Sequence, residues 1–154
     1  AFSTASSNAA LPVTLRCVER NLGVSHAVAS FTVALGATIN MNGTAMYLGV
    51  IALFGAQAYG IELTAISYAL IALTATLGAI GAAGVPGSGL VMMSLVLSSI
   101  GVPLETIAFV AGINHILDMA RTMTNVSGDA VVAVAVGRMS GEIDVEEYVS
   151  ADDI

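Results

Sequence analysis

The sequence predicts an all-α integral membrane fold, with broken transmembrane helices and re-entrant helical hairpins arranged as an inverted repeat. Three observations carry this expectation. Hydrophobic residues make up 56% of the 154 residues and charged residues only 10%, with a mean hydropathy of +0.90. A soluble domain carries about 25% charged residues, so this chain lacks the polar surface that water requires. Two uncharged runs, Ala27 to Tyr59 (33 residues) and Leu63 to Leu104 (42 residues), are each interrupted by polar or small residues. Both exceed the about 20 residues that cross a hydrocarbon core. The interruptions also recur in two halves. A tip with Pro12 leads to a helix and then Asn40-Met41-Asn42-Gly43-Thr44, and a tip with Pro86 leads later to Asn125-Val126-Ser127-Gly128-Asp129. Paired interrupted segments in corresponding positions mark inverted-repeat membrane folds.

The elements follow in order. Ser6-Ser7-Asn8 precede a first helix with Pro12 at an early position and Arg16 and Arg20 towards a C-terminus closed near Asn21 to Gly23. In the run Ala27 to Tyr59, two Asn, a Gly and two Thr between Thr38 and Thr44 predict an unwound centre whose freed carbonyls need partners inside protein or a wet cavity. Gly81 to Gly89 turns the second run back on itself, leaving arms of 18 and 11 residues, Leu63 to Ile80 and Leu90 to Ile100. The shorter arm suits a re-entrant hairpin better than an ordinary span. The last helix begins after Pro103, with Glu105 in its first turn, and runs to about Arg138. Arg16, Arg20 and Arg138 fall on one face and Glu62 and Glu105 on the other, which makes the arginine face cytoplasmic. The chain opens on Ala1 without an initiator Met or signal peptide, as expected of part of a longer polypeptide.

The formal net charge of −7 is concentrated at one end. Glu142 to Ile154 holds six of the eleven acids and no base, and is expected to be a solvated, mobile terminus. Four arginines and no lysine leave no basic stripe for a phosphate backbone, which excludes nucleic acid as a partner. Cys17 stands alone and reads as a small buried hydrophobe. His26 and His115 are too far apart for a metal cage, and no base accompanies Ser3, Ser6 or Ser7 at a spacing that would make a nucleophile, so no enzyme is expected.

The chemistry lies in the last helix. Asp118, Arg121, Thr122, Asn125 and Asp129 fall at offsets 0, 3, 4, 7 and 11 and share one face. An arginine at mid-membrane costs about 2.5–3.5 kcal/mol on insertion scales, so the stripe must face protein, water or ligand. Asp118 and Arg121 could simply neutralise each other, but Asn125 and Asp129 continue the same face. A guanidinium that forks onto a carboxylate, beside an aspartate that accepts from an ammonium, matches an acidic amino acid. Asp129, Asn125 and the carbonyls near Asn40 offer hard oxygen ligands suited to an alkali cation.

Four motifs in order give the chain a resemblance to the dicarboxylate/amino acid:cation symporters, the glutamate and neutral amino acid transporter family. They are Ser6-Ser7, NMNGT (Asn40 to Thr44), GAAGVPGSG (Gly81 to Gly89) and DMARTMTNVSGD (Asp118 to Asp129). The resemblance runs from the first residue to about Val136. It implies a tip and second arm of re-entrant hairpin 1 over 1–23, an interrupted transmembrane helix 7 over 24–60 and re-entrant hairpin 2 over 61–102. Transmembrane helix 8 over 103–138 and an acidic cytoplasmic tail over 139–154 would complete the chain. Six earlier helices, including a trimer scaffold, would lie upstream.

Carried over by position, Asp118 would bind the substrate amino group and Arg121 its side-chain carboxylate, with Thr44 and Thr122 alongside. Asn125, Ser6 and Ser7, and the tip at Val85, Pro86 and Gly87 would hold the α-carboxylate. Gly36, Asn40, Asn125 and Asp129 resemble one sodium site. Thr38 with the backbone of Ala79, Ile80 and Ala82 resembles another, and Met41 would lie between them. The second hairpin would be the extracellular gate.

Several positions depart from the family pattern. Asn42 and Asn114 stand where the family commonly has Asp, so Asn42 keeps an oxygen ligand for a further cation site but removes its charge. Ala5 and Met119 stand where an extra Arg is common, and Ala82 where a Thr is frequent. Asp129 is retained where proton-coupled relatives carry Asn, which favours sodium. The resemblance thus implies a homotrimeric, multi-pass, inner-membrane symporter coupling sodium to uptake of aspartate or glutamate, with no other cofactor. A C4-dicarboxylate or proton-coupled symporter and a channel-like module are the alternatives.

Overall fold

A computed structural model describes residues 1–82 and 84–150. Ala83, inside the GAAGVPGSG tip, and Asp152 and Asp153 of the acidic tail lie outside the described residues. Among the described residues, eight α-helices follow a 3-10 turn at Phe2–Thr4: α1 (Ser7–Arg20), α2 (His26–Ile39), α3 (Asn42–Ala58), α4 (Ala65–Gly81), α5 (Ser88–Ser99), α6 (Thr106–Ala111), α7 (Asn114–Ser140) and α8 (Val145–Val149).

Local chemistry sets most of the boundaries. Ser6 caps α1, its hydroxyl accepting from the N–H of Ala9 at 3.1 Å. Pro12 lies inside α1, later than the early position expected. Ser25 caps α2, and Thr64 and Ser67 form a reciprocal capping box on α4. The expected interruption of the first long run is two residues, Asn40 and Met41, between α2 and α3. The turn into α5 uses Gly87 in the left-handed region (φ 80°), where a side chain would be strained.

Cys17, expected to be buried, is exposed on α1, and two larger features also differ from expectation. The last helix is divided by a tight turn at Gly112 and Ile113, with Ile113 N–H donating to Val110 O at 3.0 Å, and Glu105 stands before α6 rather than in its first turn. The chain after Gly141 folds back instead of trailing away. Val24 and Ile143 form an antiparallel bridge, and Asp144 N–H donates to Gly23 O at 2.7 Å. Asp144 then caps α8 by accepting from Glu146 and Glu147 N–H.

Apolar packing makes two cores. Leu48, Ile51 and Ala52 of α3, Ile71 and Ala75 of α4, and Met93, Val96 and Leu97 of α5 form the larger. Val18, Val24, Ala29, Val33 and Ala133 join α1, α2 and α7 in the smaller. Helix α7 reaches the first core through Leu117 and the second through Ala133, and its polar row falls between them. Outer faces are apolar, as on α4, where Ile66, Tyr68, Leu70, Leu73, Leu77 and Ile80 are exposed. A row of this kind suits a lipid or protein covering rather than water. The stretch His26–Ala58 is long and apolar enough to cross a membrane.

Candidate functional site

The row on α7 is buried: Asn114, Asp118, Arg121, Thr122, Asn125 and Asp129 are each at most 9% exposed. Its centre is an ion pair between Arg121 and Asp118, one turn apart. The second Asp118 oxygen, Oδ2, accepts from Gly87 N–H at 2.8 Å, which ties the tip before α5 to the pair. Arg121 lies over the Tyr47 ring, 5.7 Å from its centroid. Arg121 Nε has no hydrogen-bond partner among the described residues, so the pair balances charge while leaving one guanidinium donor free. Gly89 makes room for this arrangement, since a Cβ there would overlap Arg121 Nη1.

One turn further, Asn125 closes the break between α2 and α3. Its Oδ1 accepts from Gly43 N–H at 2.7 Å. Its Nδ2 faces Thr44 Oγ1 at 3.2 Å and Met41 Sδ at 3.1 Å. These contacts occupy backbone and side-chain groups that the interruption would otherwise leave unpaired. Beyond them, Asn40 Nδ2 donates to Asp129 Oδ1 at 2.9 Å. Gly36 packs directly on Asp129, where a Cβ would overlap Oδ1. Gly36, Asn40 and Asp129 therefore meet at one place, with Asn125 and Met41 a turn away.

The serine tip and the glycine tip also meet. Ser6 Oγ donates to Gly84 O at 2.8 Å, and Asn8 N–H donates to the same carbonyl at 3.2 Å. Ser7 is buried beside them, whereas Val85 and Pro86 are exposed. The second cation set is not joined in this structure. The Thr38 hydroxyl is exposed and donates to Leu35 O at 2.8 Å, Ile80 is 52% exposed, and Ala79 and Ala82 are buried. Asn42 is exposed, with its amide against Gly128 rather than in the buried row.

Two site neighbours lay outside the sequence-based set. Tyr47 OH donates to Asn114 Oδ1 at 2.7 Å, and its ring lies against both Arg121 and Gly89. Tyr47 falls three residues after Thr44 and seven after Asn40, a spacing that marks one helical face. Asn8 was visible only as the end of the serine run.

An all-helical bundle with apolar outer faces and a buried ionic row beside a helix break has the build of a membrane transport protein. The chain belongs to the sodium:dicarboxylate symporter family, whose model matches residues 1–139. It is 45% identical over 152 residues to an excitatory amino acid transporter of Caenorhabditis elegans, covering 98% of this chain and 30% of that protein. It is 46% identical over 140 residues to excitatory amino acid transporter 2 of Homo sapiens, covering 91% of this chain and 24% of that protein. Excitatory amino acid transporter 4 of Mus musculus is 43% identical over 148 residues, covering 96% and 26% respectively. The chain thus spans between about a quarter and a third of the length of these relatives.

Proposed function

We propose that this chain is the substrate- and cation-binding part of a sodium-coupled symporter for an acidic amino acid, aspartate or glutamate. The observation that carries the reading is the buried Asp118–Arg121 pair, an acid and a guanidinium side by side with the Arg121 Nε donor still unused. An amino acid with a second carboxylate supplies a complement to each charge. Its ammonium takes Asp118, its side-chain carboxylate takes Arg121 with Thr44 and Thr122 alongside, and its α-carboxylate takes Asn125 and the two tips at Ser6, Ser7 and Val85 to Gly87. A ligand with only one of these charges would separate the pair and leave one buried charge uncompensated, at a cost of several kcal/mol.

Gly36, Asn40, Asn125 and Asp129 supply oxygens for one sodium, and Asp129 gives the charge. Thr38 with the carbonyls of Ala79, Ile80 and Ala82 would form a second site if the Thr38 hydroxyl turned from its own helix, with Met41 between the two. Asn42 would offer an uncharged oxygen to a further ion. The hydrogen bond from Gly87 to Asp118 supports a gate at the tip between α4 and α5, because admitting an ammonium to Asp118 requires that contact to loosen. In this reading α4 and α5 form a re-entrant hairpin, α1 is the second arm of another, and the arginine face is cytoplasmic. Upstream helices build a trimeric scaffold in a multi-pass inner-membrane protein.

Uptake of labelled aspartate by the intact polypeptide containing this chain tests the proposal. It should require an inward sodium gradient and be lost in Arg121→Ala; wild-type uptake by that variant would refute the site. The family's dicarboxylate description favours one second reading, a C4-dicarboxylate such as succinate. That reading predicts that Asp118→Ala retains transport, because no ammonium would need the carboxylate. Sodium-independent uptake driven by a proton gradient would point to proton coupling, and current without concentrative uptake to a channel-like module.

A further inference from the structure

The tip before α5 carries a polar group that none of the contacts above uses. Ser88 is the first residue of α5, and its hydroxyl oxygen is buried without a hydrogen-bond partner among the described residues. Two other serines of the same helix bond back to the preceding turn, Ser94 to Val91 O and Ser99 to Val96 O, each at 2.7 Å. Ser88 has no such outlet. The carbonyl four residues back, Gly84 O, already accepts from Ser6 Oγ and Asn8 N–H, and Val85 O accepts from Ser88's own N–H at 3.4 Å. A buried hydroxyl left unpaired is unfavourable, because it gives up its bonds to water without a replacement.

Its surroundings in the chain are ionic. The preceding Gly87 N–H is bonded to Asp118 Oδ2, and the following Gly89 packs on Arg121, where a Cβ would stand 3.3 Å from Cζ. Of the other buried side-chain nitrogen and oxygen atoms without a hydrogen bond among the described residues, Asp118 Oδ1 is held in the ion pair and Arg121 Nε is not engaged. Ser88 Oγ and Arg121 Nε are thus two unused donors on adjoining pieces of the fold. Two such donors complement a ligand carboxylate, and an apolar filling would satisfy neither.

We infer that Ser88 is a specificity-determining residue of the substrate site, its hydroxyl donating to the same ligand carboxylate that Arg121 binds. The inference rests on the function proposed above and adds a discriminating role to the tip. A hydroxyl donates more strongly to a carboxylate than to a neutral carboxamide. Ser88 therefore favours the acid over its amide from the same tip that closes on Asp118.

Sodium-driven uptake of labelled aspartate, and its inhibition by unlabelled asparagine, should be measured on the intact polypeptide with Ser88→Ala, Ser88→Gly and Ser88→Thr. Loss of a hydrogen bond to a charged group raises the aspartate KM by about tenfold or more in Ser88→Ala and Ser88→Gly. Asparagine inhibition weakens less, so the preference for aspartate narrows. Ser88→Thr keeps the hydroxyl and the wild-type preference. An unchanged aspartate KM in both hydroxyl-free variants would overturn the inference. So would an equal loss for aspartate and asparagine, as expected if Ser88 only shapes the helix start. Failure of the underlying reading would show in the wild type, as an absence of sodium-dependent aspartate uptake.

Discussion

The break between α2 and α3 should depend on a single side chain from the facing helix. Asn125 is 2% exposed, and its Oδ1 accepts from Gly43 N–H at 2.7 Å. Gly43 starts a helix, so its N–H has no partner in the preceding turn. It is also packed against Arg121 and Thr124, with a Cβ position only 2.9 Å from Thr124 Cβ, which leaves little room for a replacing water. Asn125→Ala orphans that N–H, at about 1–3 kcal/mol, and removes the bond to Thr44 Oγ1, at about 0.5–1.5 kcal/mol. The combined local loss of about 2–4 kcal/mol corresponds to amide exchange accelerated by about 30-fold to 1,000-fold. Hydrogen–deuterium exchange of the segment spanning Asn40 to Leu48, in the purified intact protein, reads this directly. Asn125→Asp retains the acceptor oxygen and should preserve most of the protection at Gly43. Exchange in Asn125→Ala within threefold of wild type would refute the reasoning, as would acceleration spread evenly over all helices.

Three further outcomes are expected. Gly36→Ala drives a methyl into Asp129; overpacking of about 1–3 kcal/mol should raise the sodium concentration for half-maximal aspartate uptake by about tenfold, read from sodium titrations of uptake. Gly23→Ala combines a left-handed backbone (φ +63°) with a Cβ overlapping Asp144 O. It should release the returning tail, giving faster cleavage at Glu142 and Glu146 by a glutamate-specific protease, whereas Gly60→Ala (φ +64°), in open space, should not. Tyr47→Phe keeps the ring under Arg121 but strips Asn114 of its 2.7 Å donor. A thermal-unfolding measurement should show a loss of about 1–2 kcal/mol, with uptake retained.

What the sequence disclosed follows from the kind of signal each element leaves. Asn, Gly and Thr inside an apolar run are conspicuous, so the interruption at Asn40 and Met41 was legible, as was the polar row at helical spacing on α7. Gly112 is one glycine among apolar residues and gives no comparable contrast, so the turn dividing α6 from α7 was missed. The fold-back of the tail at Ile143 and Asp144 was not foreseen, because acidity describes what Glu146 and Glu147 do in water but not what Ile143 does. Its bridge to Val24 joins positions more than a hundred residues apart, and no local pattern encodes that pairing. The same limit hid Tyr47: its spacing put it on the right face of α3, but only packing of α3 on α7 brings it under Arg121. Thr38 shows the converse, a residue assigned by motif whose hydroxyl here is spent on its own helix.

The division of labour between the elements explains why the interruptions lie where they do. Helix α7 is continuous through 27 residues and presents side chains, while the elements facing its row are broken or turning and present backbone. Gly43 and Gly87 give N–H groups to Asn125 and Asp118, and Gly36 and Gly89 let backbone lie against Asp129 and Arg121. An unbroken helix in those positions would have its N–H groups and carbonyls committed to its own ladder and nothing to offer the row. A side chain presented from an unbroken helix keeps its position when a facing tip moves, whereas a backbone donor at a glycine turn can be withdrawn by changing a few dihedral angles. The charges are therefore fixed and their partners exchangeable. In the proposed function, that asymmetry would let the Gly87 contact give way to a ligand while the charges on α7 stay in place, with Gly84–Gly89 rather than α7 as the moving part of the site.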